Sequence, residues 1–211
     1  MTGERPGTGD EPRIAILGGG IGGIAAAAFL RLAGLRATVY EQASQLREVG
    51  AGVVVAPNAV RLLRALGVLG AFEERAVPLD TGWEFRRWRD GLVLSAEDLA
   101  TECERRYGER TYTAHPMFPF FGQGAAQAIE DAATLARCLA ADPADPAAAL
   151  RRYEELRIPR TTRLQQVSHA RAHVNHLPDG PEQEARDAGF STTDALAASG
   201  WIYAHDACAA P

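Results

Sequence analysis

Gly18, Gly20 and Gly23 stand at G-x-G-x-x-G spacing between an apolar run, Arg13 to Leu17 (RIAIL), and an alanine-rich run, Ile24 to Ala33 (IAAAAFLRLA). The first run reads as a buried strand and the second as a helix closed by Gly34. Arg36 to Glu41 (RATVYE) follows as a second strand, so the segment is a βαβ unit of the kind that binds a dinucleotide. Each glycine has a task. Gly18 permits the tight turn, Gly20 lets a pyrophosphate approach the backbone, and Gly23 lets the helix lie close on the strand. With Ile21 and Gly22 they present backbone amides at a helix N-terminus, where an anion is stabilised. Glu41, at the end of the second strand, can accept hydrogen bonds from both adenosine ribose hydroxyls and repels a 2′-phosphate. The pattern alone leaves FAD and NAD both open.

The chain has 211 residues, 46% of them hydrophobic, enough for one domain with a small extension. The expected organisation is a disordered leader at 1–12, a single domain at 13–176 and a tail at 177–211. Gly50 to Ala56 is extended, and a helix runs from Pro57 and Asn58 to Leu66, ended by Gly67. Asp90-Gly91 between Trp83–Arg89 and Leu92–Leu94 signals a hairpin. A helix is expected over Ser95–Tyr107 with Ser95 as its N-cap, and a third strand over Arg110–Ala114. A long helix then spans Ala125 to about Ala140. After a linker at Asp142–Pro146, another runs from Ala147 to about His176, kinked or broken at Pro159.

Charge and composition exclude several functions. The net charge is -5 with no block of like charge, which argues against nucleic acid and anionic membrane as partners. All 22 basic residues are Arg, so lysine Schiff-base chemistry, a Walker-type phosphate loop and a lysine general base are excluded. Cys103, Cys138 and Cys208 are scattered, which suggests reduced thiols in a cytoplasmic protein, with Cys138 packed in the core. Residues 1–12 do not read as a signal peptide, and no apolar run is long enough to cross a bilayer. His169, His173 and His176 share a helix face without an accompanying carboxylate, and read as a solvated face more than a metal site. His205-Asp206 lacks a nucleophile motif. Trp83, Phe85 and Trp88 read as hairpin packing, and Arg86, Arg87 and Arg89 as a solvated face.

The text from Glu41 (EQASQLREVGAGVVVAPNAVRLLRALG) resembles the salicylate-hydroxylase-like branch of the class A FAD-dependent aromatic-ring monooxygenases. So do Gly82–Tyr107 and, more specifically, His115–Asp131 (HPMFPFFGQGAAQAIED). Ala147–Arg163 is similar to the family's terminal helix and Trp201–Ala207 (WIYAHDA) to its closing motif. The resemblance implies an α/β fold: a Rossmann-like FAD-binding βαβ core with a small truncated sheet and long C-terminal helices. It implies that Arg47 contacts FAD and that Pro119 lies close to the isoalloxazine. It further implies that Gly122, Gln123, Gly124 and Ala125 open a helix facing the flavin O2 region. Helix N-termini stabilise anions, and reduced flavin carries negative charge there. The implied activity is hydroxylation of a small aromatic substrate with O2 and NAD(P)H as co-substrate, and no catalytic side chain is assigned.

By the same resemblance a middle region is missing. In the family a segment like YTAH continues into an arginine near the flavin, and Pro116 stands there instead. A Gly-Asp pair should precede the His-Pro-Met turn, and Thr113 and Ala114 stand there instead. Loss of those contacts should weaken FAD, each charge-assisted bond contributing roughly 1.5–3 kcal/mol. Most walls of the substrate pocket would also be lost. The remaining sheet should leave apolar surface exposed around Phe118, Phe120 and Phe121, which a second copy in a homodimer would cover. The alternative is a non-catalytic remnant that binds FAD or ADP, or folds only with a partner. An NAD-binding reductase is a third reading.

Overall fold

The computed structural model describes residues 13–45, 53–79, 84–114, 122–190 and 192–209. Strand β1 (Ile14–Leu17) leads through helix α1 (Ile21–Leu32) to β2 (Ala37–Tyr40). The two strands pair in parallel, Ile14 with Ala37 through Leu17 with Tyr40. The βαβ unit is therefore present as the glycine spacing predicts. Helix α1 ends in a Schellman motif. Gly34, at φ 81°, donates to the Arg31 carbonyl at 3.0 Å, and Leu35 donates to the Leu30 carbonyl at 2.8 Å.

Strand β3 (Val53–Val55) precedes α2 (Pro57–Ala65), whose first residue is a proline and whose end is followed by Gly67 at φ 73°. Helix α3 (Leu69–Glu73), β4 (Val77–Pro78), β5 (Glu84–Arg86), β6 (Val93–Ala96), α4 (Thr101–Tyr107) and β7 (Tyr112–Ala114) follow. Strands β5 and β6 form the hairpin signalled by Asp90-Gly91. The Asp90 carboxylate accepts from the Leu92 amide at 3.0 Å and Gly91 has φ 72°.

Three expectations are corrected. The helix expected over Ser95–Tyr107 begins only at Thr101, because Ser95 is paired with Phe85 across the hairpin. Asp98, not Ser95, serves its N-terminus, accepting from the Thr101 amide at 2.8 Å. Strand β7 forms as expected, but it does not extend the parallel sheet. It lies antiparallel between β3 and β4 in a sheet of its own. Finally, the break allowed for at Pro159 does not form: the helix containing it is continuous.

Helix α5 (Gln123–Ala141) and α6 (Pro146–Asn175) are the two long helices. Asp145 caps α6 by accepting from the Ala148 amide at 2.9 Å. Helix α6 runs through Pro159 although a proline lacks the amide that a helix interior uses. The C-terminal segment, polar in sequence, forms α7 (Pro181–Phe190), α8 (Ala195–Ala198) and α9 (Gly200–Tyr203).

Small side chains decide the main packing. Ala25, Phe29 and Leu30 of α1 and Ala126, Ile129, Ala132, Ala133 and Ala136 of α5 belong to one buried cluster with Ala59, Val60 and Leu62 of α2. Alanine faces let the helices approach closely, and burial of these apolar groups stabilises the unit at about 25 cal/mol per Å². A second cluster joins Leu99, Cys103, Leu164, Leu196, Ile202 and Tyr203, fixing α4, α6, α8 and α9 together. Cys138 is buried, as expected of a packing residue.

The two-stranded parallel sheet is covered on one face only. Ile14, Ile16, Ala37 and Val39 are half-buried, while Ala15, Leu17, Thr38 and Tyr40 are exposed, Leu17 at 86%. Parallel sheets are normally covered on both faces. The aromatic surface expected around Phe118, Phe120 and Phe121 lies outside the described residues. No described helix is long and apolar enough to cross a membrane.

Candidate functional site: two helix N-termini

At the end of β1 the chain turns at Gly18, φ 107°, a conformation that favours glycine. The Gly18 amide donates to the Tyr40 carbonyl at 2.7 Å, which locks the turn to the end of β2. Gly20 is the N-cap of α1 in an extended conformation, and the first turn of the helix carries no acidic side chain. The amides of Ile21, Gly22 and Gly23 therefore begin a helix whose own first turn supplies no carboxylate to its positive end. A Cβ on Gly20 would meet nothing within 4 Å, so the space before it is open. A Cβ on Gly23 would lie 1.9 Å from the Gly18 carbonyl oxygen. The tight turn expected at Gly18 and the close helix packing expected at Gly23 are both present, and Gly20 stands in open space.

Glu41 has a further role that spacing did not show. Its carboxylate accepts from the Gly19 amide at 2.6 Å and from the Ala43 amide at 2.8 Å. It thus braces the glycine turn from the end of β2. These two amides, Ala43 first, hold its pKa below the ordinary carboxylate range. A carboxylate has about four acceptor positions, so Glu41 keeps capacity for a further donor. A group with a depressed folded pKa stabilises above its unfolded pKa, and that contribution is lost as pH falls through the folded value. Accordingly, Glu41→Gln should speed hydrogen exchange at the Gly19 amide at neutral pH. Acidification of the unaltered chain should lower the protection factor of the same amide, taken relative to the intrinsic exchange rate at each pH.

The second glycine turn starts α5. Gly122, its N-cap, has φ 55° and sits under β3, where an added Cβ would lie 2.6 Å from the Cβ of Val54. Both the left-handed backbone and the close approach call for glycine. Gly122→Ala should cost about 2 kcal/mol or more in a denaturant melt. Adding Val54→Ala should recover only part of it, since the backbone conformation stays unfavourable.

Gln123 is buried at the first position of α5 and accepts from the Asn58 side-chain amide at 3.1 Å. Its own Nε2 is buried without a hydrogen-bond partner among the described residues, as is Asn58 Oδ1. Orphaned buried donors are uncommon in a settled fold, and one at a helix N-terminus fits an acceptor oxygen of a bound group. Gly124 is exposed with nothing within 4 Å of an added Cβ, and Ala125 is half-buried.

A Cβ built on Gly22, in the first turn of α1, would lie 3.5 Å from Ala128 Cβ in the second turn of α5. The first turn of α1 therefore packs against the second turn of α5. Arg47 and Pro119 lie outside the described residues.

A buried charge cluster, missed by the sequence reading, holds the second turn. Glu130 of α5 is 0% exposed. Its Oε1 accepts from Asn58 Nδ2 at 2.6 Å and Arg160 Nη2 at 2.8 Å. Its Oε2 accepts from Arg157 Nη1 and Arg160 Nε, both at 2.7 Å. Burial pushes the Glu130 pKa up, but the Arg160, Asn58 and Arg157 contacts outweigh it and the net shift is downward. Arg160 also donates to the Trp201 and Ile202 carbonyls at 3.0 and 3.2 Å, which fastens the closing segment to the same cluster. His205 stands 3.9 Å from Glu130, and burial followed by Arg160 repulsion lowers its pKa. In sequence the available signals were Asn58 behind Pro57, two adjacent acids (Glu130 and Asp131) in an alanine-rich helix, and Arg157 and Arg160 one turn apart.

No group of metal-ligating side chains is found among the described residues, and the histidines of α6 form none. Phe85 stacks on Phe190 with centroids 4.8 Å apart and packs as expected, whereas Trp88 is exposed against expectation and Trp83 lies outside the described residues. Arg86, Arg87 and Arg89 pair at the surface with Glu84, Asp90 and Asp179.

Residues 11–107 match the family model described as an FAD binding domain. A 3-amino-4-hydroxybenzoate 2-monooxygenase of Streptomyces cremeus is 44% identical over 157 residues, covering 68% of this chain and 40% of that protein. A 6-hydroxynicotinate 3-monooxygenase of Pseudomonas fluorescens is 39% identical over 105 residues, half of this chain and 27% of that protein. The 3-amino-4-hydroxybenzoate 2-monooxygenase PtmB3 of Streptomyces platensis aligns at 25% identity over 385 positions, spanning 94% of this chain and 97% of the relative. Since the chain has only 211 residues, at least 174 of those positions have no counterpart here. An arginine-to-glutamine variant of HpxO from Klebsiella pneumoniae, complexed with FAD, superposes with a TM-score of 0.73 at 15% identity, covering 90% of this chain and 97% of that one. The tetracycline destructase Tet(51) gives 0.61 at 12% identity, covering 95% and 99%. These likenesses in fold agree with the sequence matches: the chain is similar to FAD-dependent aromatic-ring monooxygenases, and its first half carries their FAD binding domain.

Proposed function

We propose that the chain binds FAD between the N-termini of α1 and α5, and that it is a flavin-dependent monooxygenase acting on a small aromatic compound with NAD(P)H and O2. The observation that carries this reading is the contact of the first turn of α1, at Gly22, with the second turn of α5, at Ala128. In the proposed complex, Gly18, Gly20, Ile21, Gly22 and Gly23 hold the pyrophosphate and Glu41 the ribose. Gly122, Gln123, Gly124 and Ala125 face the carbonyl side of the ring, with Arg47 and Pro119 completing the site. Bound flavin would supply the electron transfer and oxygen chemistry. The amides and dipole of α5 would favour an anionic acceptor, and Gln123 Nε2 would donate to an oxygen. Asn58 and Glu130 position Gln123 and touch no reacting atom.

The 174 or more unmatched positions favour a second reading, a flavin-binding chain without hydroxylase activity. The exposed face of β1 and β2 supports a homodimer or another partner as its cover. A cytoplasmic location fits scattered free thiols.

One preparation tests both readings. The purified chain should show a flavin absorption band. NAD(P)H oxidation stimulated by a hydroxybenzoate, with a hydroxylated product found by mass spectrometry, supports the oxygenase. A flavin band with no product supports the second reading. A preparation that stays colourless after incubation with FAD contradicts both.

A further inference from the structure

Helix α7 buries none of its ten residues against the other described residues. Three fastenings keep it on the hairpin and on the end of α6. Just before the helix, Asp179 accepts from Trp88 Nε1 at 3.1 Å and pairs with Arg89. In its middle, Arg186 Nη1 donates to the Val174 carbonyl of α6 at 2.9 Å. At its end, the Phe190 ring stacks on Phe85 with centroids 4.8 Å apart and planes 20° from parallel. The segments on either side are held more firmly. Leu164 of α6 and Leu196, Ile202 and Tyr203 of α8 and α9 lie in the second buried cluster. The Tyr107 hydroxyl donates to the Leu196 carbonyl at 2.6 Å, and Arg106 pairs with Asp194 at 2.7 Å. Gly180, at φ 151°, leads into α7, and Gly189 stands in its last turn. A helix with few buried contacts between well-held segments opens on its own at a small free-energy cost.

The Phe85–Phe190 stack is also a partition. Phe190 lines a depression of about 370 Å³ beside Ser95 and Arg106, and another of about 110 Å³ beside Trp88 and Gln183. Phe85 lines the second of these and a third, of about 320 Å³, beside Val167 and Trp201. Withdrawal of Phe190 would join these spaces and bare one face of the Phe85 ring. A bare ring face in a cleft of ligand size is a place where a second planar ring stacks.

We propose that α7 is a strap that opens as a unit, with Phe190 as its latch, and that a planar aromatic compound holds it open by stacking on Phe85 in place of Phe190. The device lies apart from the glycine turns and does not depend on flavin being bound. A ligand that needs the open strap has an apparent affinity set by the fraction of chains in which the strap is open. Any change that multiplies that fraction should therefore speed exchange in α7 and tighten ring binding by one common factor.

Hydrogen–deuterium exchange of the full chain, paired with titration by N-phenyl-1-naphthylamine, an uncharged fluorescent ring probe, reads both sides of the device. Protection of the amides of 185–189 should be at least about a hundredfold lower than that of 132–136 in α5. Saturating probe should lower α7 protection further, whereas a ligand resting on the closed surface would raise it. Phe190→Ala should speed α7 exchange and tighten the probe by a common factor of about tenfold or more. Asp179→Ala loosens the other end and leaves the ring in place, so it should move both by a common factor of about two to three. Unaltered protection in α5 shows that each variant keeps its fold, and Asp179→Ala decides the matter alone if Phe190→Ala does not fold. Faster exchange with unaltered or weaker probe binding would overturn the proposal. So would a probe that protects α7, an α7 as protected as α5, or no probe binding to either the unaltered chain or the variants.

Discussion

Gly23→Ala should be among the most damaging single substitutions in the chain. The added methyl carbon would lie 1.9 Å from the Gly18 carbonyl oxygen, 3.1 Å from the Gly18 carbonyl carbon and 3.3 Å from Ile16 Cγ2. The first two obstacles are backbone, so relief requires α1 to move off β1. Helix α1 is also packed on α5 through Ala25, Phe29 and Leu30, which opposes that movement. Overpacking of this kind costs about 3 kcal/mol or more, a large share of the roughly 5–15 kcal/mol that typically holds a domain folded. A urea melt should show the loss directly. Gly20→Ala provides the contrast. Its backbone is extended and an added Cβ meets nothing within 4 Å. Stability should be unchanged or slightly raised, by about 0.5 kcal/mol. FAD affinity should nevertheless fall by about tenfold or more, because the methyl group occupies the approach to the pyrophosphate. Two alanines three residues apart would then separate fold from binding.

Removing Glu130 should be comparably severe. Glu130→Leu leaves Arg157, 4% exposed, without its fully buried partner, and deprives Asn58 and Arg160 of theirs. Arg157 keeps bonds to Asp131 at 2.6 Å and Gln127 at 2.7 Å, but its charge loses the one acceptor that is wholly inside. Breaking a buried pair by removing one partner costs about 3–5 kcal/mol. The pH dependence should change as well. The Glu130 pKa is depressed in the folded state, so its contribution is present above the unfolded value and is lost as pH falls through the folded one. Melting temperatures of the unaltered chain should therefore drop on acidification below about pH 4.5, and Glu130→Leu should flatten that limb. Gln123 should lose its support at the same time through Asn58, so FAD affinity should fall in the variant even where it remains folded.

What the sequence disclosed and what it hid have separate physical causes. The βαβ unit, the two glycine turns and the hairpin were legible because each depends on local chemistry: a left-handed φ at Gly18, Gly34, Gly67, Gly91 and Gly122, or a Cβ that cannot fit at Gly23. The start of α4 was not. Ser95 has the propensity of an N-cap, but pairing with Phe85 across the hairpin places it in a strand. The orientation of β7 depends on pairing with Val53–Val55 and Val77–Pro78, tens of residues away. The Glu130 cluster draws on α2, α5, α6 and the closing segment, and long-range polar partners leave no periodic trace. Glu41 was read as a ribose ligand from its position; its brace on Gly19 depends on a turn whose geometry had to be seen.

Titration of the purified chain with FAD, ADP and riboflavin, followed by flavin fluorescence for the two flavins and by calorimetry for ADP, tests most directly whether two helix beginnings hold opposite ends of one molecule. Grip at both ends requires FAD to bind at least about a hundredfold more tightly than either ADP or riboflavin. Equal affinities for FAD and ADP would mean that only the turn at Gly18–Gly23 is engaged, and the role given to Gly122–Ala125 would be wrong.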